Sequence, residues 1–283
     1  MTQIQNSIET GAMFAKASRP QNAVYSGCLA IAAYIASGGR LLSITALCLF
    51  GFFIFMYAIA AIYNNLQDIA TDKINKRFDN PFVKAKVPVW QLVNFTVSMV
   101  IGAIVCVSFL KLPVSLIVFV ISLLVIFSYS NPFIRLKSRG FAGILTLGIP
   151  YTILPILLGY LQNESVSPLL LFTCGAVYFV SLAGLLAKDY KDQSGDRASG
   201  VHTVLVRHGE GIVHKLTLLC FIVGLMIQVY ITFAFSLSLW GLAPLIAYGC
   251  FVYVLHKNKG QLSLRYMRLG QTCLLAFTYL NLV

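Results

Sequence analysis

Charged side chains are scarce in this chain. Of its 283 residues 11% are charged and 58% are hydrophobic, and the mean hydropathy is +0.82. Soluble domains carry about 25% charged residues, so a water-facing surface wrapped around a single core is excluded. Acids are scarcer still, with nine Asp and Glu against 21 Lys and Arg. Cysteine occurs seven times, each alone within an apolar run and never as CxxC, which argues against a zinc or redox centre. The seven read as reduced packing residues. The N-terminus offers no apolar core followed by a cleavage site: residues 1–18 are mixed polar, and no signal peptide is expected.

What is abundant is apolar sequence in runs of ~20 residues, long enough as helix to cross a ~30 Å hydrocarbon core. Nine such runs are read at about 21–38, 43–63, 90–110, 113–130, 141–161, 169–187, 216–235, 238–255 and 267–283. They are continuous rather than alternating, which favours helices over a closed barrel. The ninth is the weakest, because Arg265 and Arg268 leave it barely long enough. The expected fold is all-α: a polytopic membrane helical bundle of about nine transmembrane helices. It forms one domain over 1–283, opening on the short polar segment.

Lys and Arg collect in cytoplasmic loops. With the N-terminus and the loops after spans 2, 4, 6 and 8 on one side, that side holds 19 of the 21 cations. The other keeps only Arg40 and Lys111. This places the N-terminus in the cytoplasm and the C-terminus opposite. The net charge of +12 is then mostly positive-inside retention. The bilayer and its anionic headgroups are the expected partner, and nucleic acid is not.

Five of the nine acids sit in two short windows, each at the cytoplasmic end of an apolar run. The first carries Asn64, Asp68 and Asp72 at N-x3-D-x3-D spacing. The second carries Asp189, Asp192 and Asp196, the last two again four apart. Helical positions four apart share a face, where like charges repel unless a cation offsets them. Asp68 to Asp192 and Asp72 to Asp196 are both separated by 124 residues. Four spans lie between, so the helices run the same way, as in a parallel pseudo-repeat of spans 1–4 and 5–8 plus one. Two carboxylate pairs would then face across one cavity. Mg²⁺ suits them, since it takes oxygen ligands and bridges carboxylates to phosphates. The cations beside each window suit phosphate oxygens.

The Asn64/Asp68/Asp72 motif and the segment from Lys188 to Gly200 resemble the two signature motifs of the UbiA-type intramembrane prenyltransferases. Arg19-Pro20-x-Asn22 and Tyr129-Ser130-x-Pro132-x-x-Arg135-Leu136-Lys137 match as well, so the resemblance covers essentially the whole chain. It implies a nine-helix fold, a Mg²⁺-bound isoprenyl diphosphate, and prenyl transfer to an acceptor. On that resemblance Asn64, Asp68 and Asp72 form one metal cluster, and Asp192 and Asp196 the other, with Asp189 added. The catalytic set is Asp68, Asp72, Asp192 and Asp196. Arg19, Arg135, Lys137, Lys188 and Arg197 would bind diphosphate. Many members have Arg-Pro after the first motif where this chain has Asn80-Pro81, leaving Arg77 or Lys84 to supply that charge. Some place a Lys four residues after the Tyr, where this chain has Phe133.

Tracing up the two motif helices in steps of three and four gives Phe53 and Tyr57 on one, and Ser181 and Tyr178 on the other, as the prenyl channel. The alternatives are ordinary packing for the aromatics and, for the whole protein, a secondary transporter. Against the transporter, the acids lie at helix ends and the repeat is parallel, whereas transporter sites sit near the midplane, often between inverted repeats. A cyclase or an ether-lipid or polyprenyl-type transferase would share the fold. Among acceptors, a hydroxylated benzoate, homogentisate or naphthoate is expected from the family.

Overall fold

The computed structural model describes residues 11–74, 76, 80–83, 87–261 and 264–283. Among these there is no strand, and all nine apolar runs fall on helices. In chain order they are α1 (Pro20–Ala36), α2 (Ile44–Gln67), the short α3 (Ile69–Ile74), α4 (Val89–Ser108) and α5 (Val114–Ser130). After these come α6 (Phe141–Tyr160), α7 (Pro168–Ala187) and the short α8 (Gln193–Ala198), then α9 (Val204–Ala234), α10 (Leu242–Lys257) and α11 (Leu264–Leu282). Among the described residues, α2, α4, α6, α7, α9 and α10 are long and apolar enough to cross a membrane. α1 and α5 have 17 residues each, and α11 is more polar.

Local chemistry sets the helix boundaries. Ser43 and Ser167 cap α2 and α7, accepting from the amides of Ala46 (3.1 Å) and Leu170 (3.2 Å). α6 is interrupted by a π turn over Ile149–Ile153, where Pro150 and Pro155 each remove a backbone donor. α9 begins earlier than its apolar run, at Val204, and bends at Gly209, whose φ of 76° only glycine adopts without strain. The polar stretch before 216 is therefore helical, with His208 and His214 on it, rather than the loop its composition suggests.

The two largest of the bundle's four apolar clusters share α1 and α6. One joins these two with α2, α4 and α5, the other with α7, α10 and α11. At the seam, a Cβ on Gly159 would collide with the backbone carbonyl of Ala30, so α1 and α6 touch through backbone. α9 packs along α7, and α11 closes the second half against α1, α7 and α10. Between the halves lies one cavity, reached past α3 and α8, which pack on each other.

Candidate active site

Both motif windows open on that cavity. Its volume is about 530 Å³, and Asn64, Asp68, Asp72, Asp189, Asp192 and Asp196 all line it. Asp68 ends α2, its amide still bonded to the Asn64 carbonyl at 3.0 Å, and the Asp72 amide continues the turn to Asp68 at 2.7 Å. The helix thus barely breaks, and both carboxylates keep one face. The second window is less regular: Lys188–Asp192 tightens to 3₁₀ geometry before α8 starts at Gln193. Asp72, Asp189 and Asp196 are buried.

Lys137 reaches in from the short turn after α5 and forms an ion pair with Asp68. Its Nζ also lies 3.5 Å from Asn64 Oδ1, which accepts from Ser130 Oγ at 2.9 Å. Burial lowers the Lys137 pKa, against the pull of Asp68. Lys188 donates to the Tyr129 hydroxyl and pairs with Asp189, both at 3.5 Å. Arg19 lines the mouth and donates through Nη2 to Asn65 Oδ1 at 2.5 Å.

Among the described residues, five carboxylates at the cavity thus face three cations, Arg19, Lys137 and Lys188. The excess of negative charge shows at Asp196. Burial, with Asp189 and Asp192 beside it, pushes its pKa up to about 7. The oxygen-only donor set and this charge imbalance fit Mg²⁺. No three acidic, His or Cys side chains among the described residues converge as a preformed metal cage.

Not every expected residue is at the cavity. Arg197 is exposed, rotated about 100° from its buried neighbour Asp196. Arg135 sits with a φ of 43° at the start of the 136–138 turn, close enough to act electrostatically on Lys137 but outside the cavity wall. Arg77 and Lys84 lie outside the described residues. Phe53, Tyr57 and Ser181 line the cavity as expected; Tyr178 does not. Its hydroxyl donates to the Leu145 carbonyl at 2.9 Å, in the seam between α6 and α7. At about 100° per residue, Tyr178 lies roughly 80° from Lys188 around α7, while Tyr57 and Phe53 return to within about 20° of Asn64 on α2.

The UbiA prenyltransferase family model matches residues 24–278. The chain belongs to that family. Solved UbiA-type structures share its fold. A UbiA homolog from Archaeoglobus fulgidus, bound to DMAPP and Mg²⁺, superposes at TM-score 0.72 with 15% identity, over 95% of this chain and 98% of that one. A UbiA homolog from Aeropyrum pernix K1, in the apo state, gives 0.70 and 14%, over 91% and 96%. A digeranylgeranylglyceryl phosphate synthase gives 0.70 and 15%, over 96% and 99%. Among curated proteins no sequence matches.

Against the UbiA pattern, the departure at Asn80 gains a structural account. Asn80 is buried, and its Nδ2 donates to Asp72 Oδ2 at 2.7 Å and to the Asn65 carbonyl at 2.8 Å. Its Oδ1 accepts from the Phe82 amide at 3.0 Å. Asn65 in turn donates to the Ala17 carbonyl at 2.9 Å, so a neutral network ties Asp72 to the segment before α1. No spacing rule reveals this network. Tyr151, Tyr248 and Gln271 also line the cavity, far from either motif. The signal available for Gln271 was an amide inside an apolar run, four residues from Met267 and three from Leu274 on one helical face.

Proposed function

We propose that the protein transfers a prenyl group from an isoprenyl diphosphate to an aromatic acceptor, with Mg²⁺ holding the diphosphate. The reading is carried by one observation: five carboxylates and three cations gather at the mouth of a cavity whose interior includes Phe53, Met56 and Ile126. A diphosphate suits the mouth and a hydrocarbon chain suits the interior. Mg²⁺, when bound, would be held by Asp68, Asp72, Asp192 and Asp196, with Asn64 and Asp189 beside them, and would neutralise the leaving diphosphate.

The chain's own residues supply the rest. Lys137 and Lys188, half released from their pairs when cations screen the aspartates, give N–H donors to phosphate oxygens. Arg19, at the mouth, adds a third positive charge. These donors stabilise charge as the allylic C–O bond breaks. The cavity wall of Phe53, Met56, Tyr57 and Ile126 excludes water, which would otherwise quench the allyl cation, and ring faces stabilise it.

The test is mass spectrometry of products from the purified protein, given geranyl and longer prenyl diphosphates with a panel of aromatic acceptors, with and without Mg²⁺. A prenylated aromatic formed only with Mg²⁺ is the expected result. Turnover of the diphosphate with no aromatic product would limit the reading to ionisation.

A further inference from the structure

The turn that carries Lys137 is held from outside as well as from within the cavity. Lys137 itself is committed inward, to Asp68. Two arginines meet the same turn from the other side. Arg139 donates through Nε to the Ile134 carbonyl at 2.8 Å, and Arg207, in the first turn of α9, reaches the Ser138 carbonyl through Nη2 at 3.4 Å. The Gly140 amide donates to the His202 carbonyl at 2.9 Å, so backbone also ties the turn to the segment leading into α9. Gly140 holds a φ of 57°, and a Cβ there would lie 3.5 Å from Arg207 Cδ, so the arginine stem runs over the glycine.

Arg139 and Arg207 are exposed, and neither lines the cavity. Among the described residues neither forms an ion pair. A carbonyl occupies part of each guanidinium, whose five N–H groups form a fork that matches phosphate oxygens. The next residues inward are apolar and exposed too: Phe141 (43%) and Leu145 (46%) on α6, and Ile212 (39%) on α9. The Phe141 ring lies 5.4 Å from that of His208, which brings the α6 and α9 sides of this strip together. Both helices are long and apolar enough to cross a membrane. Two convergent cations therefore stand at the end of the spans, with a hydrocarbon-facing strip beneath them. A positive-inside excess accounts for how many cations share a face. It does not account for two of them meeting on one turn above exposed apolar side chains.

We infer that Arg139 and Arg207 form a binding site for the headgroup phosphate of an anionic phospholipid, whose acyl chain lies along Phe141, Leu145 and Ile212. The inference needs only the membrane fold, not the prenyl-transfer reading. Phosphate oxygens take the N–H groups that the two carbonyls leave open, as charge-assisted bonds. The ligand is a phospholipid rather than free phosphate, because the apolar strip serves only a molecule with a hydrocarbon tail. Basic pockets between spans on the cytoplasmic side suit such headgroups. Since both arginines hold the 134–138 backbone, the lipid is seated on the turn that presents Lys137 to Asp68.

The experiment uses the full chain in detergent micelles doped with dioleoylphosphatidylglycerol, or with dioleoylphosphatidylcholine as the zwitterionic counterpart. Bound lipid is read by native mass spectrometry. The parent should retain phosphatidylglycerol in preference to phosphatidylcholine. Arg139→Gln combined with Arg207→Gln should raise the dissociation constant for phosphatidylglycerol about thirtyfold, at about fivefold for each cation lost beside an anionic headgroup. Arg139→Gln alone changes one exposed side chain, and should show the single step of about fivefold even if the double variant folds poorly. Lys16→Gln combined with Lys257→Gln removes the same charge from exposed positions before α1 and at the end of α10. That control should stay within about twofold, because surface attraction falls off with distance. Excess inorganic phosphate or geranyl diphosphate should not displace the lipid. Equal losses in the two double variants would reduce the patch to a general positive surface and overturn the inference. Unchanged binding in Arg139→Gln and the arginine double variant would overturn it too. Displacement by inorganic phosphate or by geranyl diphosphate would do the same, by making the turn an anion site indifferent to the lipid.

Discussion

The aspartates at the mouth share one charge balance, although they differ in how deeply each is buried. Asp68, Asp72, Asp192 and Asp196 are expected to answer alike when neutralised, because each holds part of one charge balance. An Asn at any of them should lower turnover ~10²–10³-fold, the loss of ~3–4 kcal/mol of electrostatic stabilisation. Glu164→Gln and Glu210→Gln should stay within a few-fold, and a steady-state assay across Mg²⁺ concentrations separates the two groups. Asp196 carries a second expectation. Its pKa is pushed up to about 7 in the folded protein, from an ordinary 3.8, so the folded state binds the proton more tightly than the unfolded chain. Stability must then fall as pH rises between those values. In chelator, the thermal midpoint should drop from pH 5 to pH 8, Asp196→Asn should flatten that drop, and Mg²⁺ should restore the parent at pH 8. An unchanged slope in Asp196→Asn would mean that the strain lies elsewhere. Which acids line the cavity was legible in the sequence, because so few exist and two pairs share one offset. Asn80 was not, since its place depends on a hydrogen bond to Asp72, eight residues earlier, that no spacing rule anticipates.

Helices were legible for a related reason: a hydrocarbon solvent leaves long apolar runs no other use, and every run here became helix. Which face each helix turns inward was legible only near the motif that set the phase. Tyr57, two turns from Asn64, lines the cavity; Tyr178 has drifted around α7 and donates to a carbonyl in the seam. The break in α6 also escaped the hydropathy pattern, although its two prolines mark it. That π turn carries Pro150 and Tyr151 at the cavity wall. Below it, α6 depends on Gly159 to approach Ala30. Gly159→Leu should therefore part α1 from α6. Overpacking of this kind costs about 1–3 kcal/mol, and here the obstacle is backbone, which cannot rotate away. A lower thermal midpoint in detergent, beside an unaffected Gly211→Leu control where a Cβ meets nothing within 4 Å, is the expected pair of results.

At the scale of the whole molecule, the two halves bring their carboxylates together only if they lie parallel in the membrane. Four crossings must separate the motifs, and both windows must meet water on the same side. Contact between α3 and α8 brings the two windows to the same end of the bundle. The cation split supplies the direction, with 19 of 21 Lys and Arg on the motif side. If all nine apolar runs cross, that odd number would put the C-terminus across the membrane from the N-terminus. The element that decides this is α11. It has 19 residues, long enough at ~28 Å to reach nearly across a ~30 Å core, yet its first turns are polar. Its later turns, with Leu274 and Phe277 buried, pack into the bundle with α1, α7 and α10, while Tyr266, Met267, Arg268 and Leu269 in the first turns are exposed. A reporter fused after Val283 should therefore appear on the side opposite one fused before Met1, and a probe at Arg40 or Lys111 should share the C-terminal side. Both ends on one side would mean that α11 lies along the interface rather than across it, and Gln271 would then lose its place in the cavity.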